Sequence, residues 1–243
     1  MFTFINMSPG VRRQAGASLI EILIALALSL IFTSSMVVLV GNSMGSATRI
    51  IQMSQLTDEL RNSMSMMSRD VRRANYNANA IYCFANSECG ADANGSAVQA
   101  ADIAITGDVS VNRCMRYGLD RNWDGNADND GGGAFRLVTE SGVGRIEMWI
   151  DNGVNPVCES NDPDQWVSIT DPGFVNITLF DVDNSAAKAG TYSQDLGEAN
   201  GGTLRQHVRF VQMQIDGELL IDSTISRSLV DTVNVRNDFF ENL

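Results

Sequence analysis

Residues Ala17 to Val40 read ASLIEILIALALSLIFTSSMVVLV, and the reading of this run decides the architecture. It carries one charge, Glu21. At about 1.5 Å per residue a helix of this length reaches roughly 36 Å, enough to cross a hydrocarbon core of about 30 Å. Ahead of it, Met1 to Gly16 read MFTFINMSPGVRRQAG, with Arg12, Arg13 and no acid. Arginines in front of a span stay in the cytoplasm, so the rest of the chain is expected outside. A plain signal anchor accounts for the apolar run and the arginines. So does a secretory signal cut near Gly45-Ser46-Ala47. Neither gives Glu21 a task, and an unpaired carboxylate in a span costs on the order of 3 kcal/mol.

The composition narrows the function. The chain has 243 residues, 44% hydrophobic and 19% charged, which fits a chain with a packed core and not a disordered one. The net charge is -12, so a nucleic-acid coat is disfavoured and no nucleic acid is expected on the isolated head. The single histidine, His207, lies in an alternating strand pattern and leaves little room for a catalytic triad or a multi-histidine metal site. With no identifiable nucleophile and base, an enzyme is not expected. Gly131-Gly132-Gly133 opens no helix and is no phosphate cradle.

Past the apolar run, Met53, Leu56, Leu60, Met64, Met67, Val71 and Ala74 recur at spacings of three and four, one stripe of an amphipathic helix. No proline interrupts the chain from Val11 to Asn155. The stripe is expected to pack on a sheet, with the helix ending between Asn75 and Asn79. The pattern then changes to short strands, expected at Asp102–Thr106, Arg113–Leu119, Ala134–Thr139, Arg145–Asp151, Gln165–Ile169, Phe174–Val182, Leu204–Ile215, Glu218–Ser223 and Leu229–Val235. Asp216-Gly217 between two apolar runs predicts a hairpin turn. Ser87–Ala100 and Asn184–Gly202 read as loops. A long helix followed by an antiparallel sheet is an α+β order.

The segment from Asp120 to Asp130 reads DRNWDGNADND. Asp120, Asn122 and Asp124 alternate, Gly125 permits a sharp turn, and Asn126 and Asp128 fall where a carbonyl and the ninth ligand of a calcium loop lie. The twelfth position is Gly131, so the usual bidentate glutamate is replaced at best by Asp130. Hard oxygen donors suit Ca2+, here as a structural clip. The alternative is a solvated acidic turn. Four cysteines allow three pairings, and with no C-x-x-C they read as staples in an oxidising compartment. Cys83 and Cys89 are close in sequence, and Cys114 and Cys158 end strands that bracket the acidic loop. Cys83–Cys89 with Cys114–Cys158 is therefore the preferred set.

Gly16, then Ser18-Leu19-Ile20-Glu21, then the apolar run resembles the cleavage and methylation signal of type IV pilins and type II secretion pseudopilins. The resemblance implies cleavage by a prepilin peptidase between Gly16 and Ala17, methylation of the new amine of Ala17, and retention of the apolar helix. Glu21 would then pair with the first-residue amine of a neighbouring subunit. The family usually begins its mature chain with Phe, where this chain has Ala17. Ser68-Arg69-Asp70-Val71-Arg72-Arg73-Ala74, Cys114 to Asp120, Phe135-Arg136-Leu137, Trp166 to Asp171 and Val233 to Asn237 resemble PilW-type minor pilins in patches.

The resemblance implies a pilin-like fold in four parts: a leader over 1–16, a transmembrane half-helix over 17–40, an amphipathic half over 41–79 and a β-rich head over 80–243. It implies a single-pass inner-membrane protein with a periplasmic head, bound for the pilus tip. Its partners would be other minor pilins, the major pilin, prepilin peptidase and the inner-membrane assembly platform. The role so implied is in twitching motility, adhesion or DNA uptake; a J-type pseudopilin of type II secretion and a tip-located adhesive module that contacts a surface, a partner adhesin or DNA are the rival readings.

Overall fold

The computed structural model describes residues 16, 18–78, 102–121, 123, 131–151, 155–184, 190–195 and 203–242. It divides into two compact units, Met1–Ile51 and Gln52–Leu243. A single helix, α1 (Leu19–Val71), contributes to both.

In the first unit α1 is apolar all round, with a mean hydropathy of 2.6 in its most apolar stretch. This is the one described helix long and apolar enough to cross a membrane. Four of its hydroxyl side chains bond back to the helix backbone. Ser29 donates to the Ala25 carbonyl at 2.5 Å, Thr33 to Ser29 at 2.8 Å, Ser35 to Phe32 at 2.8 Å and Thr48 to Met44 at 3.0 Å. Back-bonding of this kind lets small polar residues sit in an apolar medium without an orphaned donor.

In the second unit the predicted stripe is the core face. Leu56, Leu60, Met64, Met67, Val71 and Ala74 are buried and Met53 is half-buried. The helix stops at Val71, a turn earlier than the sequence led us to expect. Residues 72–75 form a turn, and Asn75 takes the left-handed conformation (φ 61°) that closes many helices. Its N–H donates to the Gly118 carbonyl at 3.0 Å, so the stop is set by contact with the sheet.

Three antiparallel sheets follow. The first has the order β1 (Ala104–Thr106), β2 (Cys114–Gly118), β3 (Gly132–Glu140), β4 (Val143–Trp149), β5 (Trp166–Ser168). The second pairs β10 (Ser226–Asn234), β9 (Phe210–Leu219) and β6 (Val175–Asp183). The third pairs β11 (Phe239–Asn242), β8 (Thr203–Val208) and β7 (Gly190–Asp195). One apolar cluster joins the helix stripe to Met115, Phe135, Leu137 and Ile146 of the first sheet and to Ile177, Phe180, Met213 and Ile215 of the second. The two sheets meet where a Cβ on Gly144 would stand 2.0 Å from the Ile177 carbonyl oxygen, so only glycine admits the approach. The α+β order expected from the sequence, a long N-terminal helix followed by antiparallel sheets, is the one observed.

Three local expectations are corrected. Asp216-Gly217 is no turn: both lie inside β9, with Asp216 opposite Ser228 and Gly217 opposite Arg227. Gly217 lies beneath the helix, where a Cβ would meet the side-chain ends of Leu60 at 3.1 Å and Ile177 at 3.3 Å. The turn falls at Asp222, whose carboxylate accepts the Thr224 N–H at 3.0 Å while its carbonyl accepts the Ile225 N–H at 3.0 Å. Glu218–Ser223 is therefore the end of β9 and that turn. Leu204–Ile215 is two strands in two sheets, parted at Arg209, which is buried and bonded to Asp102 and to the Asn237 carbonyl. A buried cation breaks the alternation a single strand requires. Asn184–Gly202, read as a loop, contains β7. Ser87–Ala100 lies outside the described residues.

Candidate functional site

The residues expected to carry the assembly signal stand at the start of α1. Ser18 caps the helix: the Glu21 N–H donates to the Ser18 carbonyl at 3.0 Å and to its hydroxyl at 3.3 Å. Ser18-x-x-Glu21 thus has the spacing of a capping box, and the Glu21 carboxylate stands in the first turn, where the helix dipole favours negative charge. Gly16 is exposed ahead of the cap and Ala17 lies outside the described residues. From Ser18 to Thr48 Glu21 is the one charged side chain, on a helix where Ser29, Thr33, Ser35 and Thr48 bond back to the backbone. It is therefore the residue on this surface with an unfilled need for a cationic partner.

In the head, Cys114 and Cys158 form the expected disulfide, with Cα atoms 6.0 Å apart. It packs with Ala134, Trp149 and Trp166. The Arg136 guanidinium lies 4.0 Å over the Trp166 ring and donates to the carbonyls of Cys158 at 2.7 Å and Ser160 at 2.6 Å. Glu147 holds Arg136 through a nearly buried ion pair of 2.7 Å and bonds Arg145 at 2.7 Å, so the charges are mutually satisfied. This is a staple with a polar lock, and nothing in it resembles a redox centre. Cys83 and Cys89 lie outside the described residues.

Of the predicted calcium ligands only Asp120 is described. It is buried, and its two carboxylate oxygens accept the N–H groups of Ala78 and Trp123, each at 2.8 Å. Asp120 therefore ties the segment after α1 to the start of the acidic loop. Asn122, Asp124, Asn126, Asp128 and Asp130 lie outside the described residues. Among the described residues no group of three acidic, histidine or cysteine side chains converges as a metal site.

The arginines near the end of α1 form no motif in the sequence. In the structure Arg72, Arg73, Arg121 and Arg236, with Tyr76 and Trp123, line one cavity of about 450 Å³. They come from three separate stretches of chain, so no local motif could have announced them.

A family model described as prepilin peptidase-dependent protein B matches residues 49–235. No curated protein and no solved structure matches the chain. The matched span covers β1 to β10 and begins after the apolar run, so the family assignment rests on the head. The chain belongs to the prepilin peptidase-dependent protein B family, pilin-like proteins with an N-terminal apolar helix and a link to the pilus assembly machinery.

Proposed function

We propose that the chain is a minor pilin of the PilW type that helps to start type IV pilus assembly and ends in the complex at the pilus tip. It carries no turnover chemistry in this reading. The supporting observation is the Glu21 carboxylate, the one charge at the capped start of an otherwise apolar run. Cleavage between Gly16 and Ala17 would create a free amine one residue before that cap. A neighbouring subunit's amine would neutralise Glu21 and fix the axial register, while apolar helix packing supplies the adhesion. The head would stay in the periplasm until export, with other minor pilins, the major pilin and the inner-membrane assembly platform as partners. Its acidic loop, Asp120 to Asp130, would take one Ca2+ as a structural clip.

Mature protein isolated from cells with and without prepilin peptidase tests this reading. The expected N-terminus is methylated Ala17 in the first and Met1 in the second. A mature chain starting after Ala47 would make the run an ordinary signal peptide. Glu21→Val should be cleaved normally yet fail to enter the assembly complex, and normal piliation with this variant would refute the pairing.

A further inference from the structure

The net charge of the chain is -12, yet several described arginines without an ion pair line one groove. The cavity at the end of α1 opens on Arg72, Arg73, Arg121 and Arg236. A second cavity of about 470 Å³ runs along the helix between Arg61, Arg69 and Arg72 on one side and β10 on the other. Arg72 belongs to both, so the two form one track. Among the described residues Arg61, Arg69, Arg72 and Arg236 have no ion pair. The buried Nε of Arg121 has no hydrogen-bond partner, although its terminal nitrogen reaches the Gly132 carbonyl at 2.7 Å. The two acids that line the track are already engaged. Asp120 takes two backbone N–H groups, and Asp231 takes the Ser68 hydroxyl at 2.6 Å.

At the Arg121 end of this track stands an aromatic pair. Trp123 is 73% exposed, an unusual state for the largest apolar side chain, and its backbone is in the left-handed region (φ 66°). Its ring lies 6.4 Å from that of Tyr76, edge to face. A backbone conformation that few tryptophans adopt thus presents an indole to solvent at the mouth of a guanidinium-lined cavity.

We propose that this track binds single-stranded nucleic acid, with phosphates on Arg69, Arg72 and Arg236 and a base stacked on Trp123. An acidic peptide would use the arginines and leave the exposed indole without a task. A duplex hides its bases and offers phosphates alone. An unstacked strand uses both parts, since bases stack on indoles and on guanidinium planes alike. A cavity of about 450 Å³ is of the size that holds one nucleotide-sized ligand. Whole-chain charge, which argues against a nucleic-acid coat, is not the charge of this groove. Failure of this proposal leaves the pilin reading intact, because none of these residues enters the argument from Glu21.

The test uses the full chain in uncharged detergent and a fluorescent twelve-nucleotide oligo-dT, with duplex DNA and poly-glutamate as competitors. Oligo-dT should bind at low salt and quench tryptophan emission. The log-log salt slope should be about -2, from three phosphate contacts at roughly -0.7 each. Trp123→Ala should weaken binding by about tenfold, within the range seen for one stacked base. Arg72→Gln with Arg236→Gln should flatten the slope by about 1.4. Arg116→Gln, an exposed arginine outside the track, should bind as the parent does. No binding, equal binding to duplex, binding to poly-glutamate in preference, or unchanged affinity in the Trp123 and arginine variants would each overturn the proposal.

Discussion

The Tyr117 hydroxyl, on β2, donates to the Asp70 carboxylate in the last turn of α1. Gly133 on the facing strand makes this possible, because a Cβ there would stand 2.1 Å from that hydroxyl. Asp70 also holds Arg73, so one carboxylate fixes the helix end to the first sheet and steadies an arginine of the groove. Burial, reinforced by the Asp70 charge, pushes the Tyr117 phenol well above its ordinary value of 10.0. In the unfolded chain the phenol ionises at its ordinary value, so the unfolded state binds fewer protons above that pH. The stabilisation is complete below pH ~10 and is lost as pH rises past it. Alkaline difference spectroscopy of the four tyrosines should therefore show one that ionises only with unfolding. Tyr117→Phe should remove that phase and lower stability by about 2 kcal/mol, since Asp70 loses a bond to a charged acceptor. A late phase that persists in the variant would contradict the assignment.

The Cys114–Cys158 bridge closes a loop with a sequence separation of 44. Chain entropy gives such a closure about 4 kcal/mol. Reduction, or Cys114→Ala with Cys158→Ala, should lower the unfolding free energy by close to that amount and the denaturation midpoint with it. The native tryptophan signal should survive below the midpoint, because Arg136 still holds the Cys158 and Ser160 carbonyls. An unchanged midpoint would mean that the arginine lock, not the disulfide, carries the loop.

What the sequence made legible was local. The core stripe from Leu56 to Ala74 shows through its helical period, and Ser18-x-x-Glu21 through its fixed spacing. What it hid was set by partners far along the chain. Gly217 reads as half of a turn until Leu60 of the helix is placed over it. Arg209 breaks an apparent strand because Asp102, more than a hundred residues earlier, pairs with it. β7, Gly190–Asp195, has no apolar alternation to announce it and is a strand because β8 pairs with it. The arginine groove is hidden for the same reason: Arg72, Arg121 and Arg236 belong to three stretches that only the fold brings together.

If the acidic loop is a calcium clip, the ion binds the native head and stabilises it by mass action. A weak extracellular-type site, with Kd of about 10⁻⁴–10⁻³ M, should add about 1 kcal/mol at millimolar calcium. Thermal unfolding with calcium and with chelator measures the difference, which should be a few degrees. Asp124→Ala should abolish the calcium response and leave the chelated protein unchanged. Equal melting temperatures in both buffers would reduce the loop to a solvated turn anchored by Asp120.

Two glycines should respond to substitution in opposite ways, although both lie in strands under the same core. At Gly144 an added Cβ meets the Ile177 carbonyl oxygen at 2.0 Å, which is backbone and has nowhere to go. Gly144→Ala must separate β4 from β6 and break the 2.7 Å bond from the Gly144 N–H to the Asn176 side chain. A loss of about 3 kcal/mol is expected, at the upper end of overpacking costs. At Gly217 the nearest atoms are the ends of Leu60, Ile177 and Val175 side chains at 3.1–3.3 Å, which can shift by a few tenths of an ångström. Gly217→Ala also removes backbone freedom from the unfolded chain, worth about 0.4–1 kcal/mol in favour of the fold. The two effects should nearly cancel for alanine, whereas Gly217→Val should cost about 1–3 kcal/mol. Urea denaturation of a fragment beginning at Gln52 can read these differences, because the core cluster draws no residue from before Met53. If Gly217→Ala proved as damaging as Gly144→Ala, the contact between α1 and β9 would be as unyielding as backbone against backbone. The helix would then sit on the sheet more closely than flexible side-chain ends allow.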